Sequence, residues 1–149
     1  MLRLRQNAFH LRKQQQKRNL LIEFDIMEII FWLMYEGEKL IAFVDGFVTD
    51  EPDLTDEMYE DAAMHNENGA WQMIFGINTL PDYRRQGYAG ELICRAIEDA
   101  RMQGRNGLVL TCKEKLISYY AKYGFVDEGV SDKSTHGNVQ WHQMRLCLN

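Results

Sequence analysis

No apolar run in this chain is long enough to cross a bilayer. The longest, around Ile29 to Tyr35, is bounded by Glu28 and Glu36, far short of the roughly 20 residues a spanning helix needs, so no membrane association is expected. The basic N-terminus lacks the apolar stretch of a signal peptide. Cysteine is scarce. Cys94, Cys112 and Cys147 are odd in number and sit at no ligand spacing, which argues against a disulfide framework and for a reduced, cytoplasmic setting. The four histidines are scattered, so no zinc pattern forms and no metal is expected. Two phosphate-binding signatures are also missing. There is no G-x-x-x-x-G-K-[ST], and no trio of spaced glycines directly after a strand with an acid about 20 residues further on. No segment repeats.

What is present is the composition of a globular domain, with 149 residues, enough for a single domain spanning the chain with a real core. The net charge of −5 hides an asymmetry. From Met1 to Ile22 there are six Arg or Lys and no acid; from Asp50 to Asp61 there are seven acids and no base. The acidic run is either a solvated helix face or an attractor for a cationic amine. The acidic balance of the whole chain argues against nucleic acid as a partner.

Residues 8–23 read as a helix with Leu11, Leu20 and Leu21 on its apolar side. Ile29–Tyr35 and Leu40–Val48 read as a hairpin about a turn at Glu36-Gly37-Glu38. A helix is expected from Thr55 to about Met64, a loop over Asn66–Gly69, and a long strand over Trp71–Thr79. Ala89, Leu92, Ile93, Ala96, Ile97 and Ala100 then recur as one helical stripe, with Glu91 and Arg95 as an outer i,i+4 pair and Gly104 as the stop. Leu108–Thr111 follows this crossover helix and should run parallel to Trp71–Thr79. A short helix over Leu116–Tyr123, a strand from Phe125-Val126 and a final strand over Val139–Leu148, taken as a sheet edge, complete a single α/β sheet domain.

The most informative stretch is Ile77-Asn78-Thr79-Leu80-Pro81-Asp82-Tyr83-Arg84-Arg85-Gln86-Gly87-Tyr88-Ala89, followed by Gly90. It reads as strand, short turn and helix start. Such a turn leaves backbone N–H groups unpaired at a helix N-terminus, a site for a pyrophosphate. Gly87 allows close approach of a ligand, Ala89 keeps the first turn clear, and Arg84 and Arg85 add positive charge. Downstream, Thr111-Cys112-Lys113-Glu114-Lys115-Leu116-Ile117-Ser118-Tyr119-Tyr120-Ala121-Lys122-Tyr123-Gly124-Phe125 reads as strand, short helix and turn.

Together these segments resemble the GNAT superfamily of acyl-CoA N-acyltransferases. The Arg84-x-x-Gly87-x-Ala89 turn is similar to its pyrophosphate loop, and Tyr-Gly-Phe at 123–125 to its second hallmark. From His65 to Met144 the chain resembles the arylalkylamine (serotonin) N-acetyltransferase branch and its small bacterial relatives; the upstream Leu40–Gly46 strand looks like the family as well. The resemblance implies a mixed, mostly antiparallel sheet whose one central parallel pair splays apart, flanked by helices. It implies acetyl-CoA as cofactor, with Ile77, Asn78 and Thr79 offering backbone groups to pantetheine and acetyl carbonyl. Arg84, Arg85, Gln86, Gly87, Tyr88, Ala89 and Gly90 would cradle the pyrophosphate, and Tyr120 would be the general acid toward the departing thiolate. The implied reaction is direct attack by a primary amine, most simply a small molecule, within a ternary complex.

Two departures from the family stand out. The arylalkylamine enzymes carry a His-x-His pair on the strand before the loop, where this chain has Met73 and Phe75, so the general base does not carry over. Either water relays the proton, or another group serves, or the amine arrives neutral; His65, Glu67 and His136 are loop candidates for that group, and His65 and His136 also for binding the acceptor. Trp71, Met73 and Phe75 share a strand face and are either an acceptor pocket or plain core. The second departure is at the start, where only eight residues precede Phe9: Met1–Arg5 is either a remnant of the family's first strand or a disordered tail, or the chain begins at an internal start and lacks that strand. Cys112 is a poor nucleophile in its apolar run. A non-catalytic acyl-CoA-binding module, or a degenerate domain acting through protein contacts, remains an alternative, and the chain is read as monomer or homodimer.

Overall fold

The structure, a computed structural model, describes residues 2–6 and 29–148; the helix expected over 8–23 lies outside them. Seven strands form one sheet: β1 (Leu2–Gln6), β2 (Ile30–Glu36), β3 (Lys39–Thr49), β4 (Trp71–Thr79), β5 (Gly107–Cys112), β6 (Val126–Val130) and β7 (His142–Cys147). Their order is β1-β2-β3-β4-β5-β7-β6. Every neighbouring pair is antiparallel except β4 and β5, so the GNAT-type mixed sheet expected from the sequence is the one observed. β1 pairs along β2 from Leu2↔Glu36 to Gln6↔Trp32. The C-terminal strand is not an edge: β7 lies between β5 and β6, and β6 closes the sheet.

The parallel contact is short. Trp71, Gln72 and Met73 pair with Gly107, Leu108 and Val109, and the pairing stops there. β4 runs on to Thr79 along β3, while β5 runs on to Cys112 along β7. The two strands part beyond Met73 and Val109, and a cleft opens between them.

Helix α1 (Tyr88–Met102) crosses one face of the sheet and joins β4 to β5. Its buried Leu92, Ile93, Ala96 and Ala100 meet Trp32, Met34, Val44, Ile74, Leu108, Leu110 and Met144. Full burial of each large apolar side chain contributes roughly 1.5–3 kcal/mol. The stripe also holds a carboxylate: Asp99 is buried and its Oδ2 accepts a hydrogen bond from Trp32 Nε1 at 2.8 Å. Arg95 pairs with Asp99 at 3.5 Å rather than with Glu91. On the opposite face Phe47, Leu54, Met58, Met73 and Val109 form a second cluster.

The 50–64 segment covers that second cluster, as two 3-10 turns, Asp56–Tyr59 and Ala62–Met64, rather than one α-helix. Three of its acids are held by bonds outside a helical ladder, one of them local and two to residues distant in sequence. Asp56 Oδ2 accepts from the Thr135 N–H (2.9 Å), and Asp61 Oδ1 from the Ala63 N–H (3.0 Å). Asp53 is held by Lys133 (2.9 Å), Gln143 (2.9 Å) and Arg145 (2.8 Å). The final strand is shorter than expected because Gly137 and Asn138 adopt left-handed conformations, φ 73° and 53°, which keep 136–141 as a loop. Short helix α2 (Ile117–Ala121) follows a 3-10 turn at Glu114–Leu116.

Candidate active site

The cleft between β4 and β5 has a volume of about 1030 Å³ and is lined by the end of β4, the 83–89 loop, the end of β5, α2 and Trp141. Ile77, Asn78, Thr79, Arg84, Arg85, Gly87, Tyr88, Ala89 and Tyr120 all line it. Gln86 and Gly90 do not. Gln86 is turned back, its Nε2 donating to Asp82 O (3.3 Å) while its Oε1 accepts from Tyr88 Oη (3.1 Å). Gly90 is buried and faces Tyr123.

The loop geometry follows from its sequence. Pro81 sits at the start of a 3-10 turn, Pro81–Tyr83, which reverses the chain off β4. Arg84 Nε then donates to Thr79 O at 3.1 Å, tying the turn to the strand end. Arg85 (φ 63°) and Gly87 (φ 84°) are both left-handed, the conformation that turns successive N–H groups toward one side. Gly87 caps α1 without any side-chain hydrogen bond, so the first-turn N–H groups carry no capping acceptor. The arrangement suits an anion at the positive end of the helix.

Charge points the same way. Among the described residues, five basic side chains line the cleft, Arg84, Arg85, Lys113, Lys115 and Lys122, and no acid does. The three lysines are not part of the loop motif; their signal in the sequence is only their place beside the second hallmark.

The deep wall is aromatic. Tyr119 and Tyr120 pack edge-to-face at 5.1 Å, and Tyr119 meets Tyr123 at 5.6 Å. Tyr120 is 8 % exposed. Burial, with Cys112 beside it, pushes its phenol up to about 12. Tyr119 is raised as well, by burial and by a hydrogen bond with Tyr123. Burial drives the Cys112 thiol up to about 11, and its Sγ lies 3.6 Å from Met144 Sδ; a thiol so placed is protonated and unreactive.

The acceptor-side expectations separate. Met73 is fully buried in the second cluster, and Trp71 packs against that cluster beneath the Arg145 guanidinium at 4.6 Å; both belong to packing. Phe75 alone of the three lines the cleft. His65 is tied into the fold: its Nδ1 accepts from the Val48 N–H at 3.0 Å and its Nε2 lies 3.6 Å from Glu67. His136 instead joins a row of rings leading to the cleft. Phe75 meets Tyr59 at 4.8 Å, Tyr59 meets His136 at 5.1 Å, and His136 stacks on Trp141 at 4.5 Å. Asp56 Oδ1 sits 2.7 Å from His136 Nδ1, and His136 O accepts from Trp141 Nε1 at 2.8 Å.

Sequence reasoning passed over Asp45. It stands mid-strand on β3, opposite Gly76, and its Oδ1 is buried with no hydrogen-bond partner among the described residues. Desolvation raises its pKa above 3.8, and the N–H groups of Gly76 and of Asp45 itself offset only part of that. The available signal was a lone acid inside the apolar run Phe43-Val44-Asp45-Gly46-Phe47. Among the described residues no three His, Cys, Asp or Glu side chains gather into a metal site, and no helix is long and apolar enough to cross a membrane.

Comparison with solved structures finds the same architecture. The loading GNATL domain of CurA from Lyngbya majuscula is 14% identical, with a TM-score of 0.69 over 99% of this chain and 98% of its own. A GNAT-family acetyltransferase from Streptococcus pneumoniae is 18% identical, with a TM-score of 0.65 over all of both chains. Arabidopsis thaliana NAA60, solved with a bisubstrate analogue, is 16% identical, with a TM-score of 0.62, again over all of both chains. No curated protein matches this sequence. The family model described as the acetyltransferase (GNAT) family matches residues 1–125. With this match on most of its length and with that fold, the chain belongs to the acetyltransferase (GNAT) family, whose members carry out acyl-CoA-dependent acyl transfer.

Proposed function

We propose that this protein transfers an acetyl group from acetyl-CoA to the nitrogen of a small primary amine, by direct attack in a ternary complex. The observation that carries the reading is the cleft itself: an uncapped helix N-terminus and five cations, with no acid, at one side of a parted strand pair. This chemistry fits the phosphates of coenzyme A. Bound there, acetyl-CoA supplies a thioester whose carbonyl is open to attack. The parted edge of β4, residues 77–79, would hold the pantetheine arm and present an N–H to the developing oxyanion.

Tyr120 would protonate the sulfur as it leaves. A thiolate whose thiol titrates near ~8.5 is a somewhat weaker base than a phenolate near ~10, so the transfer is modestly uphill. Burial raises the Tyr120 phenol and keeps it protonated at neutral pH, in the state of a donor.

The ring row from Phe75 to Trp141 favours a small amine over a protein, and with the motifs between His65 and Met144 it supports kinship with the arylalkylamine branch. Calorimetric titration with acetyl-CoA tests the reading. The wild type should bind, an Arg85→Glu/Gly87→Glu variant should not, and Tyr120→Phe should bind normally while losing about 10²-fold in turnover. A folded wild type that does not bind acetyl-CoA would falsify it; Tyr120→Phe at full turnover would remove Tyr120 as the acid.

A further inference from the structure

We propose that Asp45 binds the acceptor as its ammonium ion and takes the proton that frees the nitrogen for attack. This rests on the acetyl-transfer reading above, and it supplies the base that the family motif leaves open in this chain.

The placement comes from an irregularity in the β3–β4 ladder. Asp45 pairs with Gly76, but the next residue, Gly46, pairs with Ile74, so Phe75 is an extra residue on β4. Side chains alternate along a strand, and one inserted residue reverses the alternation. Before the bulge, Met73 points into the loop-covered cluster; after it, Ile77 packs with the α1 side. Gly76 and Asn78 therefore share the face of Asp45, opposite α1. A Cβ on Gly76 would stand 2.7 Å from Asp45 Oδ1 and 3.2 Å from Asn78 Nδ2. Asn78 and Phe75 line the cleft. The Asp45 carboxylate thus lies over Gly76, just behind the cleft lining, with the cleft-lining Asn78 amide beside it.

Among the described residues, the groups that face Asp45 across the ladder and from the 3-10 turn include no cation. Phe31 faces it from β2 and Gly76 from β4. From the 3-10 turn comes Tyr59, whose phenol is raised first by burial and in part by the Asp45 and Asp56 charges. The nearest imidazole in that row, His136, is engaged by Asp56. A half-buried carboxylate whose Oδ1 has no hydrogen-bond partner among the described residues is unfavourable, and a substrate ammonium offsets that penalty. A carboxyl lifted above its ordinary range is also a better proton acceptor than a solvated one.

The protons balance. The ammonium gives one proton to the Asp45 carboxylate, and the nitrogen lone pair forms the C–N bond at the acetyl carbon. The C–S bond breaks with its electron pair on sulfur, and Tyr120 protonates that sulfur. The nitrogen, still carrying one proton too many, sheds it to restore the Tyr120 phenol, and Asp45 releases its proton to solvent. The sum is ammonium plus acetyl thioester giving amide, thiol and one proton.

The test compares wild type with Asp45→Asn, using benzylamine and unbranched alkylamines. Asp45→Asn should keep its acetyl-CoA affinity and melting temperature, and lose about 10²-fold or more in kcat/KM. Its pH profile should follow the free-amine fraction of the substrate, in place of the earlier-rising limb of wild type. A second measurement needs no variant: in the wild type, the Asp45 carboxyl carbon should titrate above the ordinary carboxylate range by NMR and shift when benzylammonium is added. Asp45→Asn within about 5-fold of wild type with the same limb, or a carboxyl resonance indifferent to benzylammonium, overturns the assignment while leaving acetyl transfer intact. Absence of acetyl-CoA binding by the wild type overturns both.

Discussion

Gly90 shows how a residue outside the chemistry can govern it. It lies buried in the first turn of α1, and a methyl group there would overlap the hydroxyl of Tyr123, with Tyr123 Cζ next at 3.2 Å. Tyr123 follows α2, the helix that carries Tyr120, and lines the cleft. Gly90→Ala should therefore push α2 away from α1. Overpacking of this kind costs about 1–3 kcal/mol, while alanine recovers up to about 1 kcal/mol of helix propensity. The net effect is a loss of up to about 2 kcal/mol, a fall of up to roughly 4–8 °C in Tm for a chain of this size. Tyr123→Phe removes the overlapping oxygen and with it the hydrogen bond between Tyr123 and Tyr119. In that background Gly90→Ala should be neutral or stabilising, so the double-mutant cycle should show a coupling equal to the overpacking cost, about 1–3 kcal/mol. Thermal and urea unfolding of the four proteins measures it. Equal effects of Gly90→Ala in both backgrounds would refute the account of how α1 and α2 meet.

Two further outcomes follow from ionisation. Asp53, Asp56, Asp127 and Glu128 all have lowered pKa values, chiefly through hydrogen bonds with Lys133, His136, the Gly129 N–H and Arg145 respectively. A carboxylate lowered in the folded state adds stability above its unfolded pKa that is lost as pH falls through the folded one. Urea midpoints should therefore drop from pH 6 toward pH 3, and Arg145→Met should flatten the slope; an unchanged slope in that variant would remove Arg145 from the cause. Cysteine reactivity gives the other outcome. Cys94 and Cys147 are exposed, whereas Cys112 is buried with its thiol pushed up to about 11. A chromogenic disulfide reagent at neutral pH should titrate two thiols quickly and the third only on unfolding; three fast thiols would contradict the burial of Cys112.

Much of this architecture is legible in the residues. The strand Trp71–Thr79 and the helix after Gly87 appear where the apolar run and the 3.6-residue stripe put them: the strand is covered on both faces and the helix on one. The loop between them was readable because its turn residues have few conformations open to them. What stayed hidden depends on partners distant in sequence. Asp99 looks like a break in the apolar stripe until Trp32 is seen donating to it across 67 positions. The 55–64 segment looks helical until Thr135 and His136 claim Asp56. Asp45 reads only as a lone acid in an apolar strand until the bulge at Phe75 sets its carboxylate over Gly76. Met73 and Phe75, neighbours in the pattern, both pack in the second cluster, and only Phe75, at the bulge, also reaches the cleft.

The short parallel contact has a mechanical side. β1 through β4 form one leaf and β5 through β7 another, and the seam between them is three residue pairs long. Beyond that seam the leaves are braced by α1, whose stripe touches strands of both. A book hinged along so little of its spine is stiffened by whatever lies between its covers. A molecule bonded to the free edge of β4 and resting against β5 and α2 would act as a splint, so that occupancy of the cleft and rigidity of the whole sheet become one property.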